Sequence, residues 1–161
     1  MRSDRHVAAP MNPSIEPYPT PPAAPDDDWA QVWFTLVRRG WHSLALVPAT
    51  PQLSTVRFAE RLAEVARSYQ EGSARVLDAE GATPSEVESM LAAVGPQIAG
   101  ARVLVAVGSP LVHTPSIPLA RGCDSALLIV PLGEAKTADA RRTLSVVGPE
   151  HFAGSVTVRG H

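Results

Sequence analysis

The chain has 161 residues, of which 45% are hydrophobic and 19% charged, and carries a formal net charge of -2. That is enough chain for one domain with its own core, without the basic surface that nucleic acid demands. Cys123 is the single cysteine, so no internal disulfide can form, and neither a run of the ~18–20 apolar residues of a membrane span nor a signal-peptide core is present. The expectation is a cytoplasmic protein that does not insert into a membrane.

Seven of the sixteen prolines fall within residues 1–25, crowding at Pro17, Pro19, Pro21, Pro22 and Pro25. Proline removes amide donors and favours extended backbone, so this stretch is neither helix nor central strand and is expected to be a disordered, dispensable tail. A single domain is expected over residues 26–161. Asp26 to Asp28 place a cap and negative charge before Trp29, Val32, Trp33 and Leu36 at helical spacing, which predicts a helix to about Arg39, stopped at Gly40. Short apolar runs follow at Leu44–Val47, Val76–Leu77, Val103–Val107, Ala126–Val130 and Val156–Val158. Between them lie helix-period segments at 56–69, 85–94 and 137–147. Strands apolar on successive residues and alternating with helices predict a three-layer α/β domain around a mainly parallel sheet. The proline-broken segment from Pro110 to Arg121 is expected to be loop, with one helical turn over Ser116–Arg121.

In such a sheet ligands bind beyond the carboxyl ends of the strands. The loop after the first strand, from Pro48 to Thr55, occupies the place of a phosphate-binding loop. A working loop needs glycines to curl its amides around phosphate and a lysine to meet the outer phosphates. Only Ser54 and Thr55 remain of that pattern, while Pro48 and Pro51 delete amide donors. Pro51, Ser54 and Thr55 are therefore expected to form a vestigial nucleotide loop, with Ser54 or Thr55 capping the next helix. Asp78 and Glu80 follow the second strand and are either divalent-cation ligands or solvated turn residues. Gly108-Ser109-Pro110 supplies no carboxylate. Gly133 to Thr137 contains Lys136, the only lysine, but with the wrong spacing for a phosphate loop. The histidines are scattered, so zinc is not indicated, and no G-x-S-x-G elbow occurs.

From about Trp29 to Arg159 the order of parts resembles the ATPase domain of bacterial tyrosine kinases of capsule and exopolysaccharide export, relatives of the MinD and ParA ATPases. Ala49 to Thr55 stand where those domains carry a T-x-P-G-E-G-K-S-T-like loop, Leu77-Asp78-Ala79-Glu80 where they carry I-D-A-D, and Ala106 to Pro110 where they carry I-D-T-P-P. Asp124 to Gly133 match a strand running into an A-G-x-T-like turn. The resemblance implies a degenerate P-loop NTPase fold in which the lysine and glycines of the first loop are lost and Val107 replaces the aspartate of the third motif. It also implies loss of a charged assembly face on the first helix, where Gln31, Phe34 and Val37 stand, and of a C-terminal tyrosine cluster. The functional expectation is a catalytically inactive, kinase-like binding or scaffolding module without cofactor. Its expected partner is a protein, a membrane-associated polysaccharide export component. Two alternatives accompany it: a divergent ATPase using Lys136 or a partner's residues, and a self-assembling subunit in which Trp29, Trp33 and Trp41 form the interface.

Overall fold

A computed structural model describes residues 27–69, 73–95 and 100–159; the tail expected over 1–25 lies outside the described residues. The first helix, α1 (Asp27–Val37), ends where Gly40 adopts φ +67°, a conformation that costs glycine little and other residues more. β1 (Ser43–Pro48) follows, then α2 (Val56–Ser68), β2 (Ser73–Ala79), α3 (Val87–Ala93), β3 (Ala101–Val107), α4 (Ser116–Gly122), β4 (Ser125–Leu132), α5 (Thr137–Val147) and β5 (Phe152–Arg159). The proline-broken segment yields more helix than one turn. Pro118 sits in the first turn of α4, where an amide has no intrahelical acceptor, so it does not interrupt the helix. β5 is longer than its apolar run because it lies at the sheet edge, where Gly154, Ser155 and Thr157 remain exposed.

The described strands form one parallel sheet in the order β2-β3-β1-β4-β5. Every residue of the central β1 is buried, as a strand covered on both faces requires. Leu44, Leu46, Leu104, Leu127 and Ile129 meet α1 and α2 on one face. Ala45, Val47, Val103, Val105 and Val107 meet α3, α4 and α5 on the other. Because α2 follows β1 on the first face and α4 follows the neighbouring β3 on the second, the loops leaving these two strands part and open a crevice.

Trp33 and Trp41 are fully inside the first core, their rings edge to face with centroids 5.8 Å apart. Trp41 Nε1 donates to the Leu36 carbonyl at 2.9 Å, and the Arg102 guanidinium lies 5.8 Å and 5.5 Å from the Trp33 and Trp41 rings. This corrects their assignment as interface residues: the apolar stripe of α1 faces its own sheet. Trp29 is half-buried and stacks on Phe58 with centroids 5.7 Å apart. The larger exposed aromatics of this face are Phe34 and Tyr69, which contact each other edge to face at 4.9 Å.

Candidate functional site: the crevice at the ends of β1, β2 and β3

Three loops converge at the carboxyl edge of the sheet, after β1, β2 and β3. They enclose a cleft of about 390 Å³ whose lining includes Pro51, Gln52, Ser54, Glu80, Ser109 and His113. In a phosphate-binding fold the free amides at the start of α2 are the attraction for anions. Here one of them, the Thr55 N–H, is already engaged. Glu80, from the loop after β2, places its carboxylate against the helix start: Thr55 N–H donates to Oε1, and the Ser54 hydroxyl lies 3.0 Å from both carboxylate oxygens. The Thr55 hydroxyl, fully buried, reaches Glu80 Oε1 at 3.3 Å and the Val107 carbonyl at 3.2 Å. Ser54, Thr55 and Glu80 thus form one cluster tying the ends of β1, β2 and β3 together.

The expected cap by Ser54 or Thr55 is therefore not what forms. Thr55 is the residue preceding α2, but its side chain makes no capping bond and its backbone is helical. The acceptor comes from Glu80, 25 residues further on, and its negative charge also suits the positive end of the helix. Asp78 is directed elsewhere: its Oδ1 accepts the Glu80 N–H at 3.1 Å, a local turn bond that sets the Glu80 backbone. The pair therefore does not converge as two cation ligands, and among the described residues no group of three or more His, Cys, Asp or Glu side chains could hold a metal ion.

His113 was not singled out by the sequence. Its Nε2 lies 2.8 Å from the Ala82 carbonyl, which can only accept, so Nε2 donates there, and Nδ1 lies 2.7 Å from the buried Ser116 hydroxyl. The imidazole staples the loops after β2 and β3 beside the cleft. Gly108 permits this closeness, since a Cβ there would lie 3.0 Å from the Glu80 carbonyl and 3.3 Å from His113 Nδ1.

Among the described residues no lysine or arginine lines the cleft. Lys136 is exposed at the start of α5, on the turn where Gly133 takes φ +79°. Cys123, at the opposite end of the sheet from the cleft, is buried, and burial pushes its thiol up from 9.0 to about 12, with a small opposing contribution from the Ser43 hydroxyl. It is a packing residue rather than a nucleophile.

Solved structures share the fold. The VpsO kinase domain superposes with a TM-score of 0.62 at 14% identity, covering 83% of this chain and 95% of that domain. The fold is that of a bacterial tyrosine kinase domain. The BceF tyrosine kinase domain agrees, with a TM-score of 0.57 at 9% identity over 80% of this chain and 73% of its own length. No protein-family model and no curated protein sequence matches the chain. The kinase-like, three-layer architecture expected from the sequence is therefore present. A nucleotide's phosphates fit the first loop poorly, since it offers no lysine, lacks the Pro48 and Pro51 amides, and has the Glu80 carboxylate at the helix start.

Proposed function

We propose that this chain is a catalytically inactive, kinase-like module that acts by binding another protein, as a regulatory or scaffolding partner in bacterial exopolysaccharide synthesis or export. The observation that carries the inactive reading is the Glu80 carboxylate on Thr55 N–H and Ser54 at the start of α2. A carboxylate there occupies the Thr55 N–H, one of the donors that would otherwise draw a phosphate, and it repels a second anion in a site with no compensating lysine. The polysaccharide assignment rests on the motif order and on the shared fold with the VpsO and BceF kinase domains. The cytoplasmic location follows from the same reading, and no described helix is long and apolar enough to cross a membrane.

Titration calorimetry with ATP and magnesium tests the inactive reading. Binding no tighter than about 1 mM is expected, because curled amides and a lysine supply the phosphate affinity of this fold and neither is present. A micromolar dissociation constant would overturn it in favour of a divergent ATPase.

A further inference from the structure

The cleft that suits a phosphate poorly has the sign that draws a cation. Among the described residues Glu80 supplies the one carboxylate of its lining, and no lysine or arginine stands beside it. Nor does Glu80 make an ion pair among the described residues. Arg57, two residues beyond Thr55, instead places its guanidinium over the Phe58 ring, 4.7 Å from the centroid. Because Glu80 is half-buried in a partly apolar lining, its charge is screened less than one on open surface and draws an opposite charge more strongly.

The two oxygens of that carboxylate are not equally used. Oε1 accepts the Thr55 N–H and lies 3.3 Å from the Thr55 hydroxyl, whereas Oε2 meets only the Ser54 hydroxyl, at 3.0 Å, which it shares with Oε1. A carboxylate offers about four lone-pair positions, so Oε2 keeps acceptor capacity. The Ser54 and Ser109 hydroxyls add further acceptor oxygens to the same lining.

The lip of the cleft is apolar, formed by Pro51, Leu53 and Val112. Val112 is 70% exposed, more than any other large hydrophobic side chain among the described residues. A turn holds it there: the Ser109 carbonyl accepts from the Val112 N–H at 3.1 Å and from the His113 N–H at 2.8 Å. His113 in turn ties this loop to the one after β2 through the Ala82 carbonyl. The walls are thus set before anything docks, which lowers the ordering cost of binding.

Acceptors beneath an apolar lip suit arginine. Its guanidinium carries five donors in one plane, is weakly hydrated and pairs with carboxylates, and its methylene stem lies well on apolar surface. Lysine brings a compact, more strongly hydrated charge that leaves water less readily. A cleft of about 390 Å³ is at the small end of ligand pockets, and its exposed lip admits a side chain carried on another chain. On the reading of this chain as a protein-binding module, we propose that the cleft seats an arginine side chain of the partner protein, with its guanidinium on Glu80 Oε2 and its stem against Leu53 and Val112.

Amide chemical shifts of the full chain, titrated with N-acetyl-arginine methylamide, test the proposal. Saturable shifts are expected at Thr55, Glu80, Ser109, Val112 and His113. The citrulline analogue, which keeps the shape and loses the charge, should bind at least about fivefold more weakly, and so should the arginine probe to Glu80→Gln. The Leu127 to Ile129 amides report whether the variant keeps its sheet. Where it does not, Val112→Lys, at an exposed position, should weaken the arginine probe equally. Equal binding of the citrulline analogue, undiminished binding in the folded variant or the absence of saturable shifts would overturn the proposal. Free L-arginine binding about tenfold more tightly than the blocked residue would overturn it in favour of a free amino acid. ATP with magnesium, titrated in parallel, separates the two readings: micromolar binding overturns the inactive reading, whereas a missing arginine response with ATP no tighter than about 1 mM overturns the arginine site alone.

Discussion

Replacing Glu80 with alanine perturbs one carboxylate and several donors at once. Thr55 N–H loses its acceptor at the start of a 13-residue helix, and Ser54 loses a hydrogen bond to each carboxylate oxygen at 3.0 Å. A helix cap contributes about 0.5–2 kcal/mol and a carboxylate at a helix start about 0.3–1 kcal/mol. Glu80 is only half-buried, so water recovers part of both. The expected net loss for Glu80→Ala is about 1–2 kcal/mol, or roughly 2–8 °C in melting temperature for a domain of this size. Glu80→Gln keeps an oxygen acceptor and removes the charge, so it should lose about 0.3–1 kcal/mol. Urea unfolding of wild type and both variants, followed by circular dichroism, measures the series. If Glu80→Ala unfolds at the wild-type midpoint, the carboxylate is not the cap of α2 and the argument for a self-occupied site fails.

The remaining predictions address the core and its titration. Trp33→Ala should destabilise by about 3–5 kcal/mol, because the ring is fully buried, and the variant monomer should melt far below wild type in calorimetry. Gly40→Ala should cost about 1 kcal/mol, since φ +67° strains a side chain even though the space beside it is open. Cys123, whose thiol is pushed up to about 12, keeps its proton in the folded chain while the unfolded chain releases it from about pH 9 upward. Stability must then fall as pH rises from about 9 to about 12, by about 1.4 kcal/mol per pH unit, an effect that Cys123→Ala should remove from the unfolding midpoints. The same thiol should resist alkylation at pH 8 until denaturant is added.

The architecture was legible because its signals are local and redundant. Five apolar runs alternate with helix-period segments, and α5 falls on 137–147 as its periodicity predicts. What escaped was set by distance along the chain. Nothing near Thr55 announces that Glu80 will cap α2, since the contact exists only once α2 has carried the chain to β2, two places across the sheet from β1, and β2 has returned it to the carboxyl edge. His113 was similarly silent: its Nε2 partner, the Ala82 carbonyl, lies 31 residues earlier in the loop after β2. The tryptophans misled for another reason. An amphipathic helix carries the same stripe whether it covers its own sheet or a partner, and only the position of α1 above β1 and β4 decides that Trp33 faces inward.

The placement of Glu80 bears on how such a fold persists without a bound anion. The opening of α2 presents donors that are exposed to a crevice by the divergence of the β1 and β3 loops, and left unsatisfied they weaken the helix that supplies six of the seventeen buried residues of the first core. A ligand phosphate is one solution, and it makes stability depend on ligand concentration. A carboxylate carried on the β2 loop is another, and for the Thr55 N–H it needs no ligand. In that arrangement the missing lysine is consistent with the rest of the site, because the anion to be held is supplied by the chain on a short turn that Asp78 fixes from behind. In the proposed reading two features act together against a second anion: Pro48 and Pro51 have no amide to donate, and the Glu80 carboxylate engages the Thr55 N–H.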